Sequence, residues 1–390
     1  MWHFPTSMAA SSPAPATTPP TSTPRLGAPT SVWIVVVIVV AAALGGVGFY
    51  AGYEYRGSPA ATPSVIENST LSILGAGTLD TIFPEIANQL VNETPGISAP
   101  AAAQTYEGSL DITSAITSLG AFADVAAVAD YRLIPTMLEP KFTNWEVVFG
   151  STPEVLAWEP GNPAFAGATS SNWPSLLENA TAKVPMGIWN ASTDPNGYNE
   201  IFSMMLQGML YDGGNISAVY SHFYSGAPGT FATGLSNTLI EHESHAAALL
   251  AAGTVSAVIT YRSYAVVNGL DFVPFNPIVG LQSNSSVALA DYAKLSTLIT
   301  PALGVFTKVV PAPVLFSVTV PSNAPNPDLG AAFIHLLLSP QGAAILNDSA
   351  QGGAFTPIFP GWSDNPSGVP TELVPDVTGL PAWAVPLLTT

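Results

Sequence analysis

The chain has 390 residues, of which 48% are hydrophobic and only 9% are charged, so it carries ample apolar material for a core beneath a nearly neutral surface. Its 26 acidic residues outnumber 8 basic ones, giving a formal net charge of -18, and this excludes the basic surface that nucleic-acid binding requires. The absence of cysteine excludes disulfides, thiolate metal sites, a cysteine nucleophile and a lipid anchor on cysteine.

The N-terminal part of the chain predicts a disordered tail followed by a transmembrane helix. Residues 1–31 are rich in Pro, Ser, Thr and Ala and cannot bury enough apolar surface to become ordered. Residues 32–50 are uncharged and strongly apolar, with Trp33 and Tyr50 at the two ends. As a helix this segment is about 28 Å long, which is enough to cross a bilayer core. A cleaved signal peptide is the main alternative, but the preceding tail is long and not basic. We therefore expect an uncleaved single-pass anchor, with 51–64 as a linker.

Acceptor sequences for N-linked glycans indicate on which side of the membrane the rest of the chain lies. The triplet Asn-x-Ser/Thr occurs beyond the apolar segment at Asn68, Asn92, Asn179, Asn190, Asn215, Asn284 and Asn347. Chance triplets in a chain rich in these residue types are the alternative. The pattern predicts a glycosylated binding domain on the extracellular face of the cell membrane.

From Leu71 onward, short apolar runs alternate with helical segments, which is typical of α/β architecture. The predicted strands are 71–74, 124–128, 147–158, 255–259 and 315–320. The predicted helices are 78–90, Ser109–Leu119 ended by Gly120, 201–210 and 331–338. This part of the chain is too long for one small domain and fits two lobes.

Six segments, taken in order, carry a resemblance to a known family: GAGTL (75–79), EGSLDITSAI (107–116), ADVAAVADYRLIP (123–135), TDPNGY (193–198), TYRSYAVVNGLDFV (260–273) and SVTVPSNAPNPDLGAAFIHLLLSPQG (317–342). Together they resemble the molybdate/tungstate-binding proteins of ABC transporters, most closely the tungstate-type branch common in archaea. The resemblance implies a two-lobed type II periplasmic-binding-protein-like fold, with the anion in a cleft between lobes joined by two crossing strands.

The resemblance also implies the boundaries and partners of the lobes. Lobe one is expected at 65–146 plus 314–376 and lobe two at 147–313, with 377–390 as a C-terminal tail. The chain would capture molybdate or tungstate as its ligand and deliver it to the permease and ATPase subunits of an importer. We expect a monomer without a cofactor.

Two turns of lobe one are candidates for binding the anion. A dianion with four acceptor oxygens needs convergent donors, and helix N-termini supply backbone N–H groups and hydroxyls. Gly77 and Thr78 follow a predicted strand, and Ser109 opens a predicted helix. N-capping alone explains the two hydroxyls, whereas the resemblance places both at oxyanion-binding positions. A dinucleotide-binding loop is disfavoured because Asp80 stands at its third glycine position.

Lobe two contributes a second set of candidates. Asp194 and Pro195 fit a helix N-cap followed by a first-turn proline, and the resemblance implies that Asp194 approaches the Mo or W atom of the anion itself. The glutamate that accompanies it in the family is replaced here by Thr260, before Tyr261. Hydrogen bonding to a tetrahedral anion is therefore an equal alternative to expanded coordination, and sulfate is less well excluded. Tyr198 and Tyr261 are candidate hydroxyl donors, with aromatic packing as the alternative.

Other function classes find less support in the sequence. His242 and His245 flank Glu243 at a spacing that misses the metalloprotease helix, so a solvated helix face is favoured and an enzyme is disfavoured. A sensor or surface module of the same fold remains the alternative to a transport protein, although the sequence lacks the repeats typical of surface-layer modules. Arg262 either steers anions or pairs with a carboxylate.

Overall fold

The computed structural model describes residues 69–224, 237–240, 243–299, 307–347 and 353–389, which fold into two α/β lobes. The predicted tail, the apolar segment 32–50, the linker and Asn68 lie outside the described residues. Both lobes belong to one compact unit. Among the described residues, no single helix is long and apolar enough to span a bilayer. The helices Pro327–Leu337 and Pro340–Leu346 meet that test only as a pair, bent by 72°.

The described strands, numbered in chain order, are β1 (Ile73–Ala76), β2 (Gln104–Glu107), β3 (Val125–Val128), β4 (Val147–Ser151), β5 (Glu154–Trp158), β6 (Met186–Trp189), β7 (Asn237–Ile240), β8 (Val258–Tyr261), β9 (Asp271–Pro274), β10 (Thr297–Ile299), β11 (Thr307–Val309), β12 (Leu315–Thr319), β13 (Thr356–Ser363) and β14 (Val377–Gly379). The described α-helices are α1 (Ile82–Glu93), α2 (Ser109–Leu119), α3 (Trp173–Thr181), α4 (Pro195–Tyr211), α5 (Tyr220–Phe223), α6 (Glu243–Ala251), α7 (Arg262–Val267), α8 (Ser286–Tyr292), α9 (Pro327–Leu337) and α10 (Pro340–Leu346).

Lobe one is built on a seven-stranded sheet with the order β14-β13-β4-β12-β3-β1-β2. β1 pairs in parallel with β2 and β3, whereas β12 runs antiparallel to β3 and β4. The central strands β3 and β12 are buried along their whole length, as expected for apolar runs covered on both faces. Phe83 of α1 packs against Phe333 of α9 and Phe149 of β4, with ring centroids 5.1 and 5.7 Å apart. These aromatic contacts fix the helical layer on the sheet.

Lobe two is built on a five-stranded sheet with the order β7-β6-β8-β5-β9. β8 pairs in parallel with β6 and antiparallel with β5. The centre of the lobe is the long helix α4, which is buried from Pro195 to Gly208 and packs on β5, β6 and β8. Its N-terminus therefore lies at the carboxyl end of the parallel strands, where it faces lobe one.

The chain leaves lobe one at Thr152 and Pro153, between β4 and β5. Because β4 is hydrogen-bonded within the seven-stranded sheet, the predicted start of lobe two at residue 147 is wrong by one strand. The apolar run 147–158, predicted as continuous strand material, is two strands of different sheets. The break falls at Pro153, which has no N–H for a strand ladder.

The predicted C-terminal tail, 377–390, is also corrected by the structure. β14 pairs in parallel with β13 at the edge of the seven-stranded sheet. Ala384 is fully buried, and its carbonyl accepts a hydrogen bond from Tyr131 at 3.1 Å. Up to Thr389, this segment is therefore part of lobe one.

Candidate functional site

The carboxyl ends of the parallel strands in lobe one bring its candidate residues to the same edge of the sheet. Gly77 and Thr78 follow β1 in a short 3-10 turn, Gly77–Leu79, and Ser109 begins α2 just after β2. Thr78 and Ser109 are 3% and 1% exposed. Thr78 does not cap the next helix, because α1 begins only at Ile82. The two hydroxyls are thus buried at the edge that faces lobe two.

Ser109 is held in place by the neighbouring strand. Its hydroxyl oxygen accepts a hydrogen bond from the backbone N–H of Ala129, just after β3, at 2.9 Å. The N-cap of α2 is Gly108, which has no side chain, so capping does not explain the serine. No described residue accepts the Ser109 hydroxyl proton in a hydrogen bond. The geometry leaves that proton available to a further acceptor.

The N-terminus of α4 supplies the candidate residues of lobe two. The Asp194 carboxylate accepts a hydrogen bond from the backbone N–H of Asn196 at 2.8 Å, and Pro195 is the first helical residue. The predicted N-cap is therefore confirmed. Asp194 and Tyr198 are 7% and 1% exposed.

The N-termini of α2 and α4 contact each other where the two lobes meet, a region called here the junction. The backbone N–H of Leu110 donates a hydrogen bond to the carbonyl of Thr193 at 3.0 Å. A Cβ atom at Gly108 would overlap that same carbonyl oxygen. The phenol of Tyr198 donates to Asp130, at the end of β3, at 2.7 Å. The lobes are therefore in direct contact around the predicted site residues.

The chain matches the family model of bacterial extracellular solute-binding proteins over residues 71–349. This chain belongs to that family. It is 26% identical over 310 residues to the molybdate/tungstate-binding protein WtpA of Pyrococcus abyssi, covering 75% of this chain and 87% of the relative. The WtpA of Thermococcus kodakarensis is 27% identical over 309 residues, covering 75% and 84%. The periplasmic molybdate-binding protein of Azotobacter vinelandii aligns with a TM-score of 0.48 and 12% identity, covering 73% of this chain and 98% of that one.

Thr260 of this solute-binding protein contacts Asn196, in the first turn of α4, and reaches Asp194 only through that residue. With the Asn196 amide turned so that its oxygen does not face the Glu154 carboxylate, Asn196 donates to Glu154 at 3.1 Å and accepts from the Thr260 hydroxyl at 3.2 Å. The opposite amide orientation would have Asn196 donate to Thr260 instead, but it would turn the amide nitrogen toward the indole N–H of Trp189, which is also a donor. Thr260 therefore bonds to Asn196, which in turn donates its backbone N–H to Asp194.

Tyr261, the last residue of β8, contacts residues of both lobes. Its ring packs edge-on against Phe316 of β12, with centroids 5.6 Å apart, and its hydroxyl accepts from Asn199 at 3.3 Å. The aromatic-packing interpretation of Tyr261 is thus the one that the geometry favours.

Buried carboxyls surround the N-terminus of α4. Burial raises the pKa of Asp194 to about 7, with a further contribution from Asp111 of lobe one. Burial also raises the pKa of Glu154 and Glu200 well above their ordinary range. One Glu200 oxygen accepts from the Tyr224 hydroxyl. Glu154 and Glu200 therefore favour their neutral forms, whereas Asp194 is poised between its neutral and charged forms near neutral pH.

Two candidate functional residues at the junction were not predicted from the sequence. Asp130 and Arg132 form a buried ion pair, with Nη2 and Oδ2 2.7 Å apart, beside Tyr198. Both lie in the ADYRLIP segment, and opposite charges two residues apart in a chain with 8 basic residues were the available signal. The pairing with Tyr198 is a contact between lobes that sequence spacing does not reveal.

The remaining candidates lie away from the junction or outside the described residues. Arg262 donates to the carbonyl of Gly353 and lies over the ring of Phe272. His245 is on α6, whereas His242 lies outside the described residues. Within the described ranges, no group of three or more His, Cys, Asp or Glu side chains is arranged to hold a metal ion. Membership of a family of solute-binding proteins agrees with the expectation of a non-enzyme.

Proposed function

We propose that this chain is a membrane-anchored, extracytoplasmic protein that captures molybdate or tungstate for an ABC importer. The observation that carries the proposal is the junction, where the N-termini of α2 and α4 meet and the Ser109 hydroxyl proton is available. The relatives named molybdate/tungstate-binding proteins, which cover most of the chain, support the choice of anion. No cofactor is needed for this function.

Lobe one supplies the hydrogen-bond donors in this proposal. The hydroxyls of Thr78 and Ser109 and the backbone N–H of Gly77 bind the anion oxygens, aided by the positive end of the α2 dipole. Their burial favours the interaction, because a hydrogen bond to an anion is stronger where water is excluded.

Asp194 is the lobe-two residue that approaches the anion in this proposal, along with Pro195. One of its oxygens caps α4 through Asn196. Its raised pKa of about 7 allows it either to donate a hydrogen bond as a neutral acid or to approach the Mo or W atom as a carboxylate.

Sulfate or another tetrahedral oxyanion is the second candidate ligand. The observation in its favour is Thr260, because its hydroxyl is engaged with Asn196 and supplies no second carboxylate to expand the coordination of Mo or W. A site with hydrogen bonds alone would accept a sulfate ion as well, since sulfate has the same charge and the same four acceptor oxygens.

Calorimetric titration of the purified full-length chain in detergent tests the function and the ligand together. We expect tight binding of molybdate and tungstate in separate titrations, with sulfate at least about 100-fold weaker, a difference of about 3 kcal/mol. Asp194→Ala should weaken tungstate binding by about 10- to 100-fold, whereas Asp212→Ala, at the exposed end of α4, is the matched control. Equal binding of sulfate would favour the second candidate. A folded sample that binds none of the three anions contradicts the oxyanion function.

The membrane anchor and the importer partners are parts of the same proposal. The apolar segment 32–50 supports a single-pass anchor, and the family supports delivery to a permease and an ATPase. Extraction of native membranes at alkaline pH should leave the chain in the pellet, and deletion of residues 1–50 should release it. A full-length chain that washes off would contradict the anchor.

A further inference from the structure

Tyr198 connects the two lobes through a hydrogen bond whose donor and acceptor residues are both buried. It lies in the first turns of α4 in lobe two and is 1% exposed. Its hydroxyl donates to Oδ2 of Asp130, which follows β3 in lobe one, at 2.7 Å. A phenol has a single proton to donate. With that proton on Asp130, the hydroxyl of Tyr198 has none left for an anion.

Asp130 is held in position and in its charged form by Arg132. The guanidinium donates from Nε to Oδ1 at 2.9 Å and from Nη2 to Oδ2 at 2.7 Å, and the Arg132 backbone N–H donates to Oδ1 at 3.0 Å. Burial acts to raise the pKa of Asp130, but Arg132 outweighs it and lowers that pKa below the ordinary value. The Tyr198 bond is therefore a charge-assisted one to a rigid acceptor.

Arg132 extends the same network to the segment where the chain returns to lobe one. Its Nη1 donates to the carbonyl of Val310 at 2.9 Å, and Val310 lies between β11 and β12. One buried ion pair of lobe one thus contacts α4 on one side and the crossing segment on the other. Separating the lobes removes the Tyr198 bond and exposes the carboxylate.

We infer that Tyr198, Asp130 and Arg132 form a latch that holds the lobes together over the bound anion, with Tyr198 a positioning residue and not an anion ligand. The inference rests on the proposed function and deepens it by assigning residues that set how long the anion is retained. A latch contributes after closure, so it changes the rate of anion release and leaves the rate of capture unchanged.

The test compares Tyr198→Phe with Tyr292→Phe in the full-length chain. Tyr292 is an equally buried tyrosine whose hydroxyl donates to the Ile278 carbonyl at 3.0 Å, within lobe two. Release of radiolabelled molybdate is followed after a chase with unlabelled molybdate, and capture is followed by rapid filtration. We expect Tyr198→Phe to speed release by about 10- to 100-fold, since a hydrogen bond to a charged group is lost. Capture should change by less than about twofold, and Tyr292→Phe should change neither rate.

Two other outcomes would contradict the latch and leave the proposed oxyanion-binding function unaffected. If Tyr198→Phe slows capture and leaves release unchanged, the phenol is an anion ligand met on encounter. If both tyrosine variants speed release equally, the effect is general destabilisation. Failure of the wild-type chain to bind molybdate, tungstate or sulfate would instead contradict the proposed function.

A ligand-independent measurement keeps the latch testable in every case. The Leu110 amide donates across the junction to Thr193, so its hydrogen exchange reports separation of the lobes. Tyr198→Phe should speed exchange of that amide by about tenfold, and Tyr292→Phe should not. Asp130→Asn is the second variant. Its effect and that of Tyr198→Phe should be non-additive in the double variant. Additive effects, or unchanged Leu110 exchange in a folded Tyr198→Phe protein, would overturn the latch.

Discussion

Glu146 is a buried acid that the binding function does not use. It lies just before β4 with 0% exposure, and neither of its oxygens makes a hydrogen bond of good geometry with a described residue. Burial raises the pKa of Glu146 well above its ordinary value, the carboxyls of Asp364 and Glu139 add to this, and the nearby Ser317 hydroxyl offsets only part of it. Burial and Asp364 also raise the pKa of Glu139, to about 7. Folding therefore takes up protons at this cluster at neutral pH.

Replacement of Glu146 by Gln should remove a pH-dependent loss of stability. Because the folded-state pKa of Glu146 is raised above 4.5, its contribution is fully present below that pH and is lost as the pH rises through the folded pKa. Glu146→Gln should match the wild type within about 0.5 kcal/mol near pH 4 and exceed its free energy of unfolding by about 1–3 kcal/mol near pH 8. Denaturant unfolding across this range measures the difference. Exposed Glu85→Gln is the control, and a parallel gain there would contradict the burial argument.

Single residues of the site were predictable to different extents. Thr78, Ser109 and Asp194 each follow a strand or open a helix, so local pattern brings them to the correct edge. The contact of Asp130 with Tyr198 was not predictable, because it spans 68 residues and exists only where the lobes meet. Thr260 was placed directly at the anion, whereas in the structure it bonds to Asn196. Local patterns predict which edge a residue occupies, but packing between lobes decides what it contacts.

At the scale of elements, closure depends on how near the N-terminus of α2 comes to the loop before α4. Gly108→Ala should weaken tungstate binding by about 100-fold, because its Cβ would overlap the Thr193 carbonyl and hold the lobes apart. Thermal unfolding should change little, since the overlap disappears when the cleft opens. Gly379→Ala in β14, where a Cβ would meet only the Pro366 side chain at 3.9 Å, is the matched control. Unchanged affinity in Gly108→Ala, measured by calorimetry, would show that closure tolerates the methyl group.

The bounds of the predicted elements were met to different extents. The predicted helices 78–90, 201–210 and 331–338 start four to six residues away from the observed α1, α4 and α9, whereas the predicted strands start within three residues of the observed ones. The predicted helix Ser109–Leu119 is confirmed, and Gly120 ends it with a φ of 70°, a left-handed conformation that favours glycine. Strand β1 is Ile73–Ala76 where 71–74 was predicted, because apolar runs carry no capping residue to mark their ends. The division of 147–158 between two sheets depends on pairing with β12 and β8, which are distant in the sequence.

At the scale of the whole molecule, the two crossings between lobes are short and tightly packed. At the first crossing, between β4 and β5, the Arg262 backbone N–H donates to the Pro153 carbonyl at 2.8 Å. At the second, just before β12, the Val314 backbone N–H donates to the Leu281 carbonyl at 2.9 Å. Such crossings confine lobe motion to a hinge. The order of lobes followed from the family resemblance. The exact crossings did not, because they are set by which strands pair in each sheet.

The asparagines of the N-glycan acceptor motifs can be used to test which parts of the folded chain are accessible from outside. Among the described residues, Asn92, Asn179, Asn215, Asn284 and Asn347 are exposed. Asn190 differs, because it is half-buried directly after β6, and its side chain accepts from the Ser192 backbone N–H at 3.0 Å. A glycan there would have to fit in the loop that leads into the junction. The seven sequence motifs are therefore not equivalent in the folded chain.

We expect glycans at exposed acceptors and none at Asn190. Mass spectrometry of glycopeptides from native membranes, with occupancy determined site by site, measures this directly. Asn179 is the informative comparison, since it lies eleven residues earlier in the same lobe but on the exposed face of α3. Occupancy of Asn190 equal to that of Asn179 would mean that modification precedes folding and ignores the final structure. A chain without glycans at any acceptor would remove the support that these motifs give to an extracellular binding domain and leave its orientation to the anchor alone.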